Sequence, residues 1–104
     1  MNERLQLALT APVDHPAFPG HFPGQPILPG AALLDLAIVA LQRALGVEAG
    51  TVRIASAKFL KPVGPGSALA LSAEAAKAGS WRCTLSDTAG ATVAQCELSL
   101  ETAE

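Results

Sequence analysis

The chain has 104 residues, of which half are apolar and only 15% are charged, and its formal net charge is −2. This length supports one modest hydrophobic core and is too short for two domains, so we expect a single domain over residues 1–104. The high apolar content argues against disorder. The small negative charge excludes a general attraction to nucleic acid or to an anionic membrane.

The first ten residues lack the basic start and the long apolar run of a secretory signal. The longest apolar stretch, Gly30–Leu41, is interrupted by Asp35 and is too short to span a bilayer. We therefore expect a cytoplasmic protein. Cys83 and Cys96 form no metal-binding pattern with the two histidines, so no metal is expected and the cysteines are interpreted as reduced core residues.

The chain begins with a short strand, because Leu5, Leu7 and Leu9 alternate with other residues. The segment HPAFPGHFPGQPILPG (residues 15–30) follows, with five prolines and three glycines in sixteen positions and His21 near its middle. A simple connection needs only one or two turn residues. This composition indicates a loop that holds its side chains in fixed positions.

Residues 31–45 (AALLDLAIVALQRAL) are strong helix formers, and Gly46 after them is a stop signal. Their apolar residues cover nearly every helical face, so this helix is predicted to be buried all round. Strands separated by turn-rich segments are predicted at 51–60, 68–78, 81–86 and 92–100. One long apolar helix with an antiparallel sheet of about five strands wrapped around it is an α+β domain.

Two polar residues stand out against this background. Asp35 lies one turn into the apolar helix, where an isolated carboxylate is costly to bury unless it is protonated or partnered. It could instead be stabilised by the helix N-terminus or face solvent, and His21 could be an ordinary loop histidine. Together the two residues have the character of a general base and a general acid in different environments.

The segment HFPGQPILPGAALLD (residues 21–35) resembles the signature of the β-hydroxyacyl-acyl-carrier-protein dehydratases of bacterial fatty-acid synthesis. In that signature a histidine opens H-F-x-G-x-P-x-x-P-G and an Asp or Glu follows fourteen residues later; His21 and Asp35 occupy these positions. A second segment, AKFLKPVGPG (residues 57–66), resembles K-F-x-x-P-V-x-P-G. The resemblance, which extends from about residue 5 to about residue 100, implies a hot-dog fold and homodimers that share one continuous sheet.

The resemblance also implies a chemistry. His21 removes the C2 proton of a 3-hydroxyacyl thioester, Asp35 protonates the departing C3 hydroxyl, and the products are a trans-2-enoyl thioester and water. Gly30 binds the thioester oxygen through its backbone N–H, which has no intrahelical acceptor at the start of a helix. The substrate is carried on the phosphopantetheine of an acyl carrier protein, and no other cofactor is implied. Further substrate contacts are expected from Phe22, Pro29, Ala31, Lys58, Phe59 and Lys61.

The chain departs from the family pattern in two places. Val39 stands where the fatty-acid enzymes usually carry a glutamine, four residues after the acid, and the first strand of those larger enzymes is expected to be missing. The length is similar to that of the short dehydratases of aryl-polyene and polyketide-like pathways. A hot-dog thioester hydrolase and a non-catalytic acyl-thioester-binding subunit are the alternatives to a dehydratase.

The last predicted hairpin places the two cysteines together. If Asp87 pairs with Thr92, the antiparallel register puts Cys83 opposite Cys96. We therefore predict neighbouring thiols that can be oxidised in vitro but that are not structural.

Overall fold

The computed structural model describes residues 4–11, 28, 30–47, 50–76 and 79–102. Every predicted element is present, with ends that differ by a few residues. The elements in chain order are β1 (Arg4–Thr10), α1 (Gly30–Leu45), β2 (Gly50–Phe59), β3 (Ala68–Ala75), β4 (Ser80–Ser86) and β5 (Thr92–Thr102).

The strands form one antiparallel sheet in the order β1-β3-β4-β5-β2. Strands β3, β4 and β5 are consecutive and joined by short turns, whereas β1 and β2 lie at opposite edges of the sheet. Because α1 lies between β1 and β2 in the chain, the connection that contains it runs from one edge of the sheet to the other. This is the predicted α+β arrangement of one helix on a five-stranded sheet.

The core lies between α1 and one face of the sheet. Strand β4 follows the period of two, with Trp81, Cys83 and Leu85 buried and Arg82 exposed. Helix α1 contributes residues spaced by four, which share one helical face. The buried side chains of the helix are Leu33, Ala37 and Leu41.

The prediction that the helix is buried all round is wrong for the single chain. Ala31, Asp35, Arg43 and Ala44 are exposed, and Val39 is only partly buried. The sheet covers one side of α1. The apolar side chains on the opposite side of the helix have nothing to pack against among the described residues. The helix ends as predicted, because Gly46 adopts a positive φ of 72° and Val47 N–H donates to the Gln42 carbonyl at 2.9 Å.

Strand β2 is an edge strand with exposed apolar side chains. It pairs with β5 on one side, and no described strand lies against its other side. All side chains from Arg53 to Leu60 are exposed, and Ile54 and Phe59 each retain 47% of their surface. A bulge between Ile54 and Ser56 interrupts the pairing with β5.

Candidate active site

The two sequence segments of the predicted signature meet at the N-terminus of α1. Leu28, from the first segment, donates its N–H to the carbonyl of Val63, from the second, at 2.7 Å. Both side chains are buried, with 3% exposed. The N–H groups of Leu60 and Lys61 donate to the Val93 carbonyl at 2.8 and 3.2 Å, which fixes the second segment to β5. The start of the helix is therefore held against the end of β2.

Gly30 is the first residue of α1, and the ring of Phe59 packs on it. A Cβ atom at position 30 would lie 2.9 Å from Phe59 Cε2 and 3.0 Å from its Cζ. Such contacts are too short for carbon atoms, so this approach of the ring requires glycine. The Gly30 N–H belongs to the first turn, whose amides have no intrahelical acceptor. The geometry thus leaves a backbone donor next to an aromatic ring.

An open groove runs along this junction. The groove has a volume of about 340 Å³. Gly30 and Leu33 line it from the helix, Phe59 from β2, and Lys61 and Val63 from the segment after β2. The described part of the groove wall is mainly apolar, and Lys61 is its one charged side chain. These features suit a ligand that has an apolar chain and a polar end.

Behind Phe59 lies a second, much smaller cavity. This cavity has a volume of about 10 Å³, which is at the lower limit for holding one water molecule. Its wall includes Leu34 of the helix and Leu85, Cys83 and Cys96 of the sheet. Phe59 lines both this cavity and the groove. The sequence alone could not locate this cavity, because its wall combines a helix and three strands that are far apart in the chain.

Asp35 is exposed and points away from this groove. At 3.6 residues per turn, five residues separate the directions of Gly30 and Asp35 by about 140° around the helix axis. Asp35 is likewise on the side of α1 opposite the buried side chains of Leu33 and Ala37. Gly30 and Asp35 of one chain therefore face different surroundings.

The lysines expected to contact substrate differ in their surroundings. Lys61 Nζ lies 3.1 Å from Asp87 Oδ2, so part of its charge is balanced. The N–H of Ala91 donates to the Asp87 carboxylate at 2.9 Å, and this bond, followed by Lys61, lowers the pKa of Asp87. Lys58 is exposed on edge strand β2. Ala31, another predicted substrate contact, is exposed on the first turn of α1.

Cys83 and Cys96 are directly opposite each other on β4 and β5, as predicted, and both are buried. The hydrogen bond to Cys96, together with burial, raises the pKa of the Cys83 thiol. The reason given for the register is wrong: Ser86, not Asp87, pairs with Thr92. A register shift between Leu85 and Ser86 separates this pair from the rest of the ladder. Oxidation of the two thiols stays a prediction.

His21, Phe22 and Pro29 lie outside the described residues, so their predicted roles stay predictions. Within the described ranges, no group of three or more His, Cys, Asp or Glu side chains could hold a metal ion. In the same ranges, no helix is both long enough and apolar enough to cross a membrane.

The sequence matches the ApeI-like family, described as ApeI dehydratase, over residues 1–97. It is 32% identical over 115 residues to the 3-hydroxyacyl-[acyl-carrier-protein] dehydratase FabZ of Thiobacillus denitrificans, covering 94% of this chain and 77% of that enzyme. It is 40% identical over 75 residues to FabZ of Chlamydia trachomatis serovar L2, covering 60% of this chain. In that second comparison the match spans only 46% of the relative's length.

Two solved structures are similar over nearly the whole chain. The dehydratase heterocomplex ApeI:P from Xenorhabdus doucetiae matches with a TM-score of 0.65 and 28% identity, covering 96% of this chain and 93% of that one. The fluoroacetyl-CoA thioesterase FlK matches with a TM-score of 0.67 but only 18% identity, covering 97% and 87%. The second likeness concerns the fold alone. Together these matches identify the observed architecture as a hot-dog fold.

Proposed function

We propose that this chain, which belongs to the ApeI-like dehydratase family, removes water from 3-hydroxyacyl thioesters carried by an acyl carrier protein. The observation that carries the proposal is the junction at Gly30. There the Leu28–Val63 hydrogen bond holds the two signature segments together beside an apolar groove. A helix-start N–H at the edge of such a groove suits a thioester carbonyl whose acyl chain enters apolar surroundings.

The reaction follows from three groups. His21, as a neutral imidazole, takes the C2 proton, and the electron pair of that bond moves toward the thioester carbonyl. The Gly30 N–H stabilises the resulting negative charge on oxygen. Asp35 then donates its proton to the C3 hydroxyl, the C3–O bond breaks, and the C2–C3 double bond forms as water leaves. No electrons enter or leave the substrate, so the proposed reaction needs no redox cofactor, and the three protein groups supply every proton transfer and the charge stabilisation.

The direction of Asp35 calls for a second chain. Because Asp35 points away from the groove of its own chain, we infer that it serves the groove of a partner. Strand β2 offers a place for that partner, since a long edge strand with exposed apolar side chains is a template for further pairing. The proposed assembly is a homodimer in which two β2 strands pair and the sheets become continuous.

The carrier protein would approach the groove at Lys61, which lines it, whereas Lys58 faces the other side of the sheet, beside Thr84 and Gln95. Lys58 is exposed there, and the charge of Lys61 is partly balanced by Asp87. We therefore assign the contact with the phosphopantetheine phosphate to Lys61, and to Lys58 only a longer-range attraction to an acidic carrier protein. Phe22, Pro29 and Ala31 complete the proposed substrate contacts.

The proposal is tested by incubating the protein with a panel of 3-hydroxyacyl carrier proteins and following the acyl group by mass spectrometry. A dehydratase yields a product lighter by one water molecule with the thioester intact, and His21→Ala abolishes this change. Release of free carrier-protein thiol would instead identify a thioester hydrolase. Binding of the acyl carrier proteins without either change would identify a non-catalytic subunit, and both of these results would overturn the proposal.

A further inference from the structure

The cation of the groove has an anion beside it. Lys61 is the charged side chain of the described groove wall, and its Nζ lies 3.1 Å from Asp87 Oδ2. Asp87 belongs to the turn between β4 and β5, 26 residues after Lys61 in the sequence. It lies outside both signature segments. The signature therefore contains the positive charge of this site but not the negative charge next to it.

The carboxylate of Asp87 is fixed by its own turn. Its Oδ1 accepts the N–H of Ala91 at 2.9 Å and the N–H of Ala89 at 3.0 Å, while Oδ2 faces Lys61. The Ala91 bond, followed by Lys61, lowers the pKa of Asp87, so the carboxylate is ionised at neutral pH. Both side chains of the ion pair are partly exposed, so the pair itself is weak. It is the turn that keeps the negative charge in this position.

A negative charge at this position acts on any anion that Lys61 binds. An anion that accepts a hydrogen bond of about 2.8 Å from Lys61 Nζ comes within about 6 Å of Asp87 Oδ2. This distance is shorter than the Debye length of about 8 Å at physiological ionic strength, so salt screens the repulsion only in part. Lys61 and Asp87 together have no net charge. The pair can donate a hydrogen bond to one phosphate, but it offers no net attraction to further negative charges.

The two common carriers of acyl thioesters differ in charge at this end. Phosphopantetheine on a carrier protein is a phosphodiester with about one negative charge, whereas coenzyme A has a pyrophosphate and an additional phosphate monoester, with about four negative charges in total. Both carriers share the uncharged pantetheine arm, so contacts with that arm cannot distinguish them. A repulsive element against the unwanted ligand can provide the specificity that shared contacts cannot.

We propose that Asp87 is a specificity-determining residue: its charge, one hydrogen bond beyond Lys61, disfavours coenzyme A thioesters and leaves the groove to the phosphodiester of a carrier protein. The inference rests on the proposed function for the entry of an acyl-pantetheine into the groove. Asp87 does not act on the reacting atoms, which is the role proposed for His21, Gly30 and Asp35. It acts on the choice of carrier, through its charge.

The test measures binding, so it does not depend on turnover. One octyl group is attached as an unreactive thioether to pantetheine, to phosphopantetheine and to coenzyme A, and each dissociation constant is measured by isothermal titration calorimetry. Asp87→Asn removes the charge but keeps a side-chain oxygen for the turn N–H groups. It should bind the coenzyme A compound about fivefold more tightly than the wild type, the phosphopantetheine compound about twofold more tightly and the pantetheine compound equally well. In about 1 M salt, where the Debye length is about 3 Å, these gains should disappear.

Lys61→Met should change binding in the opposite direction, because it leaves the charge of Asp87 without the neighbouring positive charge. The loss of affinity should be largest for the coenzyme A compound and absent for the pantetheine compound. Thr88→Ala is the matched control, since Thr88 is exposed in the same turn, and it should leave all three dissociation constants unchanged. Asp87→Ser keeps the test available should Asp87→Asn not fold, because a serine hydroxyl can also accept a turn N–H.

Unchanged or weaker binding of the coenzyme A compound to Asp87→Asn would overturn the proposal. Equal gains for all three compounds would also overturn it, because a structural change in the turn would not distinguish their charges, and so would gains that persist in about 1 M salt. A wild-type protein that binds none of the compounds would overturn it as well, since the groove would then hold no acyl-pantetheine. Failure of the proposed dehydration gives a different result: the thioethers bind with these preferences, but no water is lost from 3-hydroxyacyl carrier proteins.

Discussion

Gly30 combines two requirements at one position. Its N–H is available at the start of α1, and its missing side chain admits the Phe59 ring to within ordinary contact. The sequence indicated the first requirement through the signature. It could not indicate the second, because Phe59 is remote in the chain and reaches Gly30 only through the Leu28–Val63 connection and the register of β2.

We expect Gly30→Ala to displace the Phe59 ring, since its Cβ would lie 2.9 Å from Phe59 Cε2. Disturbing the position of the proposed oxyanion donor should lower kcat by about 10²-fold. The double variant Gly30→Ala/Phe59→Leu should recover part of the lost melting temperature, because the smaller side chain relieves the clash. Strict additivity of the two changes in melting temperature would contradict the contact.

Asp35→Asn should keep substrate binding and lose about 10²–10⁴ in rate, the usual contribution of one proton-transfer group. Its melting temperature should stay close to that of the wild type, because Asp35 is exposed in the single chain. Asp35→Glu is the matched control, since it retains a carboxyl group and should retain more activity than Asp35→Asn. A loss of less than tenfold in Asp35→Asn would identify another residue as the acid.

At the scale of elements, the helix and all five strands follow from hydrophobic periodicity and from glycine and proline positions. Even the alanine-rich strand β3 is present, although it ends at Ala75 instead of Ala78. The pairing at the turn between β4 and β5 was not predictable from the sequence pattern. A register shift of one residue between Leu85 and Ser86 makes Ser86 the partner of Thr92. Such a local irregularity leaves the alternation of the strands intact, so their sequence carries little sign of it.

The same turn makes a pH-dependent contribution to stability. Hydrogen bonds from the N–H groups of Ala91 and Ala89, together with Lys61, lower the pKa of Asp87 in the folded state. Ionised Asp87 therefore stabilises the folded state. This contribution is complete above the ordinary carboxyl pKa of about 4 and is lost as pH falls through the lower pKa of Asp87 in the folded state.

Asp87→Asn should accordingly lower the melting temperature at pH 7, and the difference from wild type should shrink in acid. Lys61→Met should have a smaller effect, because it leaves the two backbone bonds in place. Thr88→Ala, an exposed change in the same turn, is the control and should have little effect at either pH. A difference between Asp87→Asn and wild type that stays constant from pH 7 to pH 3 would contradict this account.

For the whole molecule, two apolar surfaces lack a cover within the described chain. One is the side of α1 that carries Asp35 and Val39, and the other is edge strand β2 with Ile54 and Phe59. The apolar composition of the helix led to the prediction of complete burial, and that prediction failed because it was applied to one chain. A sequence gives the apolar surface to be covered, but not whether its own sheet or a second chain covers it.

A shared site between two chains can be tested by mixing inactive variants. His21→Ala and Asp35→Ala proteins are unfolded together and refolded, and random pairing makes about half of the dimers mixed. If each site takes its histidine from one subunit and its acid from the other, one site of every mixed dimer is intact, so about a quarter of wild-type activity should return. If both residues come from one chain, every site lacks one of them.

The control is each variant refolded alone, and the fraction of mixed dimers is measured by native mass spectrometry. Mixed dimers without recovered activity would reject the shared site and leave the outward direction of Asp35 to be explained by another partner.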